Sequence, residues 1–230
     1  MVYIKKTDKE KPWAKKLEVK KRELKNIEIK SLFRIYCEGK NTEPIYFRSF
    51  PVNTETRVEE VIGLGRSKTS LVEKVIELLR DGQFLNGQNE YDENRQLWVV
   101  FDFDKKDEDN ESEDYNTAIR LAQEHEINVA YSNDAFELWF VLHFKYLDSI
   151  LTRKEYYEFL SDEFSINYEK HGKENDFAKS IYQLLKPSQN KALQNAIKLH
   201  KSFTDGNYCN HNPCTTVYKL VEELNKCLKK

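Results

Sequence analysis

A chain of 230 residues that is 39% hydrophobic, 13% aromatic and 33% charged is too rich in apolar side chains for a disordered protein, and long enough for one sizeable core with an appendage. No apolar run reaches the roughly 20 residues that span a bilayer, and the N-terminus lacks the apolar stretch of a secretion signal, so a cytoplasmic protein is expected, with neither membrane insertion nor export. The formal net charge of −2 hides a division: residues 1–30 hold eleven Lys or Arg against five Asp or Glu, so a basic arm precedes an acidic body.

That arm is expected to lie along a polyanion or to be a solvated helix or tail; both readings stand. "SLFRIYCEG" (31–39) is β-rich and ends in Gly39, and "TEPIYFRSF" follows as a short helix with Thr42 as N-cap and Pro44 in its first turn. Residues 57–62 are a second strand. "SLVEKVIELLRDG" opens with Ser70 and Glu73 in capping-box spacing, carries Leu71, Val75, Leu78 and Leu79 on one face and closes at Gly82. After a polar loop over 83–96, "QLWVVFDF" is apolar without alternation, as suits a strand covered on both faces. A helix over 114–126 and a strand "INVAYS" come next.

Beyond residue 145 only helical patterns are expected: 152–163 with a Thr152/Glu155 capping box, 174–186 stopped by Pro187, 188–201, and 215–228. Strands alternating with helices predict an α/β core over 31–147 with a mostly parallel sheet flanked by helices, and a helical extension over 148–230 packed on it. Such sheets place their sites at the carboxyl ends of the strands.

Asp102 and Asp104 follow the run "LWVVF" at one such end. Side chains two apart share a face, so two like charges meet there and repel unless a cation sits between them. With no His or Cys beside them they select a hard ion, Mg²⁺ or Mn²⁺, and a cluster of this kind holds two. A solubilising acidic loop accounts well for Asp107, Glu108, Asp109, Glu111, Glu113 and Asp114, but poorly for Asp102. Glu38 ends the first strand in the same way, with Gly39 allowing a sharp turn. Glu137, set among Phe136, Leu138, Trp139 and Phe140, would cost several kcal/mol to bury unpaired and must meet water, a base or a metal. His143 is expected to be a core residue away from the site. "GLGRSKTS" puts Arg66 and Lys68 before a helix N-terminus, where phosphate is favoured; with Lys40 and Lys105 they are the candidate phosphate ligands. His200, Cys209, His211 and Cys214 are zinc-competent, but their spacing is not that of a standard zinc site.

A hydrophobic strand ending in Glu-Gly and a second ending in Asp-x-Asp resemble the Toprim domain of topoisomerases, primases and related nucleases. More narrowly, "CEGKNTEPIYF", "VVFDFDKKD", "SNDAFELWFVLHF" and "NPCTTVYKLVEEL", in that order, resemble the RloB-like family of the AbiLii abortive-infection type. The resemblance implies a Toprim-like sheet, metal-dependent nuclease chemistry on DNA or RNA, and defence against phage beside a partner ATPase of the RloA/AbiLi type. By position it implies roles for Glu38, Asp102 and Asp104, a further acid at Glu137, and Glu43 at a spacing that differs by one residue. The expected reaction is hydrolysis of a phosphodiester, with Glu38 as candidate general base. Two rivals remain: a phosphatase like the haloacid dehalogenases, whose motif "FDFD" shares without its following Thr or Val, and a non-catalytic module that binds nucleic acid or regulates the ATPase. An oligomer is compatible with the sequence.

Overall fold

Strand β3 (Arg95–Asp102) sorts the core into two halves. Its side chains alternate across the sheet, so Trp98 and Val100 enter one buried cluster while Leu97, Val99, Phe101 and, just beyond the strand, Phe103 enter another. The computed structural model describes residues 32–53, 56–60, 67–82, 95–104 and 111–229. The basic arm and the candidate phosphate ligands Arg66 and Lys105 lie outside them.

Around β3 the sheet has the order β2-β1-β3-β4-β5, with β1 (Leu32–Cys37), β2 (Thr56–Glu60), β4 (Asn128–Asn133) and β5 (Cys214–Thr215). The first four strands run parallel, so their carboxyl ends share one edge; β5 is antiparallel to β4. The chain passes from β1 outward to β2 on one side and then to β3 and β4 on the other. That reversal leaves a crevice between the ends of β1 and β3, the place where open α/β sheets bind their ligands.

Helices α2 (Lys68–Arg80) and α3 (Glu111–Glu124) cover one face through Leu71, Val72, Val75, Ile76, Tyr115, Ala118, Ile119 and Ala122. The other face is covered by α1 (Thr42–Arg48), α4 (Glu137–Phe144) and helices from the C-terminal part, α5 (Arg153–Phe164), α6 (Tyr168–His171), α7 (Asn175–Leu185), α8 (Gln189–His200) and α9 (Val217–Lys226). Aromatic rings knit this side together. Tyr46, Phe47, Phe136 and Phe140 meet edge to face, and the Trp139 indole N–H donates to the Tyr46 hydroxyl at 2.9 Å, which fixes α1 against α4.

Most predicted elements are present with shifted ends. The N-cap of α1 is Asn41, one residue before the expected Thr42, and α2 starts three residues early because Ser67, not Ser70, caps it and accepts from the Ser70 N–H at 3.2 Å. The Thr152/Glu155 capping box is complete. The 148–230 stretch is not purely helical, since it supplies β5, a pair of residues too short to show alternation. Ser31–Lys230 accordingly forms one compact unit. Among the described residues no helix is long and apolar enough to cross a membrane.

Candidate metal centre

The crevice between β1 and β3 is lined by acid. Cys37 lies level with Val100 across the two strands, and the Glu38 N–H donates to the Val100 carbonyl at 2.9 Å, so Glu38 leaves β1 beside the last residues of β3. The backbone N–H of Asp102 faces the Glu38 carboxyl and works to lower it. Asp102 closes β3, on the face shared by Trp98 and Val100. Asp104 sits just past the strand with φ 47°, a left-handed conformation that Asp tolerates better than most residues. The Phe103 and Asp104 N–H groups donate to the Ser132 and Asp134 carbonyls at 2.8 and 3.0 Å, which pins this turn to the end of β4. Asp102 and Asp104 therefore converge through a turn, not through the simple alternation expected from the sequence.

Two further acids reach the same cleft, whose volume is about 260 Å³. Glu43 projects from the first turn of α1 and is 7% exposed; Glu137 opens α4 and is 3% exposed. Gly39 matters here by close approach, not by an unusual φ, because a Cβ there would overlap the Glu43 carboxylate and push it aside. All five predicted acids line the cleft, with Lys40 at its exposed rim.

Their electrostatics follow from crowding and burial. Burial, then the charges of Glu43 and Glu137, holds the Asp102 carboxyl well above the usual carboxylate range, against the pull of Arg153 and the Phe136 N–H. Burial, with Glu137 and Glu38 adding to it, pushes Glu43 up to about 7 in spite of its own backbone N–H and Lys173. Burial also raises Glu38 although Lys68 opposes it. Three cations answer these acids. Lys68, itself 4% exposed, approaches Glu38 at 3.4 Å; Arg153 approaches Asp104 at 3.1 Å and Asp102 at 3.6 Å; Lys173 stands 4.0 Å from Glu137.

The donor set suits a hard divalent ion, being all carboxylate oxygen. Asp102 Oδ1 is buried without a hydrogen-bond partner, an expensive state that a cation would relieve. Among the described residues, however, no three or more His, Cys, Asp or Glu are grouped closely enough to hold an ion. The acids fit the group chemically, and in this arrangement side-chain cations stand beside them.

Arg153 and Lys173 were not anticipated from the sequence. Lys173 has no local signal. Arg153 does have one: the capping box fixes it as the first helical residue, where the helix dipole disfavours a positive charge.

Residues 33–224 match the model of the family described as RloB-like protein. The chain belongs to the RloB-like family. Every described residue of the cleft lies inside that span. Neither the curated proteins nor the solved structures compared with it contain a match. In this RloB-like protein the N-terminus of α2, expected to favour phosphate, already holds a carboxylate: Asp114 accepts from the Lys68 and Thr69 N–H groups at 2.7 and 3.2 Å and from the Ser67 hydroxyl at 2.8 Å. Burial works to raise the Asp114 carboxyl, but these bonds outweigh it and hold the group below its ordinary value. The sequence places Asp114 in a surface acidic run; the fold uses it as a cap.

The zinc-competent residues of the RloB-like chain are committed elsewhere. His200 Nδ1 meets the Tyr218 hydroxyl at 2.8 Å, His211 Nε2 meets Asp205 at 2.9 Å, and burial pushes the Cys214 thiol up to about 12. His143, as expected, is buried away from the cleft, with Nδ1 2.9 Å from the Trp139 carbonyl oxygen and its imidazole pushed down to about 4 by burial.

Proposed function

We propose that this RloB-like protein is a metal-dependent nuclease that hydrolyses phosphodiester bonds of DNA or RNA in defence against phage, working beside an ATPase of the RloA/AbiLi type. The observation that carries the reading is the buried, partnerless Asp102 Oδ1 at the crevice between β1 and β3, on a carboxyl raised by burial and then by the charges of Glu43 and Glu137. Strongly perturbed acids in a cleft mark functional sites. Membership of the RloB-like family supports the defence role, and acids at the ends of two neighbouring parallel strands are what a Toprim-like nuclease domain requires.

Glu38, Asp102, Asp104, Glu43 and Glu137 are the residues that would hold Mg²⁺ or Mn²⁺. When bound, such an ion polarises the phosphate and eases ionisation of a water. The chain's own part is placement and proton transfer. Glu38, whose carboxyl is raised, takes a proton from water at the β1 end. Lys40, exposed at the rim, and Lys173, beside Glu137, draw the polyanion over the acids. Gly39 keeps the wall between Glu38 and Glu43 thin enough for both carboxylates to face one space.

The test is to incubate the purified protein, alone and with its partner ATPase, with total cellular nucleic acid and Mn²⁺ and to sequence the ends produced. Cuts that vanish with a chelator and in Asp102→Asn are expected. Nucleic acid bound but left intact under every condition replaces the nuclease with a binding or regulatory module.

A further inference from the structure

We infer that Arg153 is a gate on the acid cluster: it occupies Asp102 and Asp104 in the metal-free protein, competes with the divalent ion for them, and is drawn off by a substrate phosphate. The inference rests on the metal-dependent reading above and adds the way in which the site is loaded.

The geometry of the guanidinium is the starting point. A structural Arg–carboxylate pair is favoured when two parallel N–H groups meet both oxygens of one carboxylate. Arg153 does otherwise. A single nitrogen, Nη2, lies 3.1 Å from Asp104 Oδ1 and 3.6 Å from Asp102 Oδ2, so one point of positive charge is shared between two acids, as an ion would be. Its Nε is buried and has no hydrogen-bond partner. Asp102 Oδ1 is likewise left without one. The pair therefore carries an unsatisfied donor and an unsatisfied acceptor at once, each of which costs free energy to bury. A better partner for either side shifts the balance: an oxygen-seeking ion for Asp102, a phosphate for the planar fork of Arg153.

The place of Arg153 in the fold makes an exchange practicable. It is the first residue of α5, its side chain is 32% exposed, and it lines the same cleft as Lys40 at the rim. Rotation about its side-chain bonds carries the guanidinium toward the cleft mouth without moving the helix. The capping box of Thr152 and Glu155 holds that helix end: Thr152 N–H donates to Glu155 at 2.7 Å, and Glu155 N–H donates to the Thr152 hydroxyl at 3.4 Å. Competition for shared acids makes the linkage reciprocal: a phosphate that engages Arg153 tightens the ion, and the ion tightens the phosphate. Ions are then taken up mainly when a polyanion is in the cleft, which keeps a nuclease quiet in a cell full of Mg²⁺.

Calorimetric titration of Mn²⁺ into the full-length protein tests this without measuring cleavage. Arg153→Gln should bind Mn²⁺ about tenfold more tightly than wild type, the size of one charge-assisted hydrogen bond no longer in competition, while its metal-free melting temperature falls. Arg153→Lys, which keeps a cation there and so protects the fold, should stay near the wild-type affinity. A phosphorothioate oligonucleotide resistant to cleavage should tighten Mn²⁺ binding to wild type, and by about tenfold less in Arg153→Gln. If the free Arg153→Gln protein binds Mn²⁺ no better than wild type, the gate is wrong, and any enhancement by the oligonucleotide comes from direct contact of phosphate with the ion. If neither protein binds Mn²⁺ with or without the oligonucleotide, the metal reading falls and the gate with it.

Discussion

Asp102 and Asp114 belong to one acid-rich stretch and end in opposite situations. At the N-terminus of α2, the Asp114 carboxylate receives two backbone N–H groups and a hydroxyl, and its carboxyl is held below the ordinary range. At the end of β3, Asp102 has one oxygen with no partner, neighbours of its own sign, and a carboxyl well above that range. An acid whose bonds are answered by the backbone serves the fold. An acid buried against other acids is kept at a cost to the fold, which points to use.

The contrast fails or holds first at Asp102. Asp102→Asn keeps the shape and removes one charge from a repelling group. Cleavage should fall by at least about 100-fold, the upper end of what the loss of groups merely supporting a metal site costs, while the metal-free melting temperature holds or rises. Full activity in this variant would remove the metal mechanism; unfolding of it without metal would make Asp102 a structural residue like Asp114.

Gly39→Ala sharpens the same point by steric means. Its Cβ would land on the Glu43 carboxylate, and overpacking of this kind costs roughly 1–3 kcal/mol. Weaker Mn²⁺ binding should accompany the lower melting temperature. A variant that melts normally and binds Mn²⁺ as wild type does would show that Glu43 is not held there for the site.

For Asp114 the order of effects reverses. Asp114→Ala should cost about 1 kcal/mol of stability, as loss of a helix cap does, and leave Mn²⁺ binding unchanged. The pH dependence has a definite sign. A carboxyl whose folded value is depressed contributes stability above its unfolded value, near 3.9, and loses it as the pH falls through the folded value. The gap in melting temperature between wild type and Asp114→Ala should thus be full at pH 7 and close below about pH 4. A gap that is constant down to pH 2 would assign the effect to packing.

The smallest effect is expected at the histidine and cysteine residues near the C-terminal part. His200 and His211 already have Tyr218 and Asp205 as partners, so a zinc chelator should leave the melting temperature where it is. A fall of several degrees would mean that these residues hold zinc after all.

What the sequence discloses and what it hides divide along the range of the forces involved. The uninterrupted "LWVVF", the Thr152/Glu155 capping box and the acids at two strand ends are local patterns, and the structure keeps all three. The role of Asp114 depends on a helix that starts 46 residues earlier along the chain, at Lys68, and no window of sequence contains both partners. Arg153 is hidden in the same way, 49 residues beyond Asp104, with only its ill-suited position at a helix start to betray it. The strand β5 is two residues long, too short for any periodicity, and exists because Ser132 and Asn133 offer it a ladder.

That strand and the residues after helix α9 have a consequence for how the chain comes off the ribosome. Cys214 and Thr215 close the β4 edge of the sheet, while the Lys229 N–H donates to the Pro51 carbonyl at 2.9 Å, the Asn53 N–H donates to the Cys227 carbonyl at 2.7 Å, and Val52 pairs with Leu228, tying down the loop that leads into β2. A nascent chain that already displays β1 to β4 lacks the first clasp until residue 215, and the second until residue 229, has emerged. Before residue 215 appears its β4 edge is open to other strands, so synthesis of this protein should lean on chaperones until that edge closes, and truncation before residue 214 should yield aggregates instead of a smaller folded core.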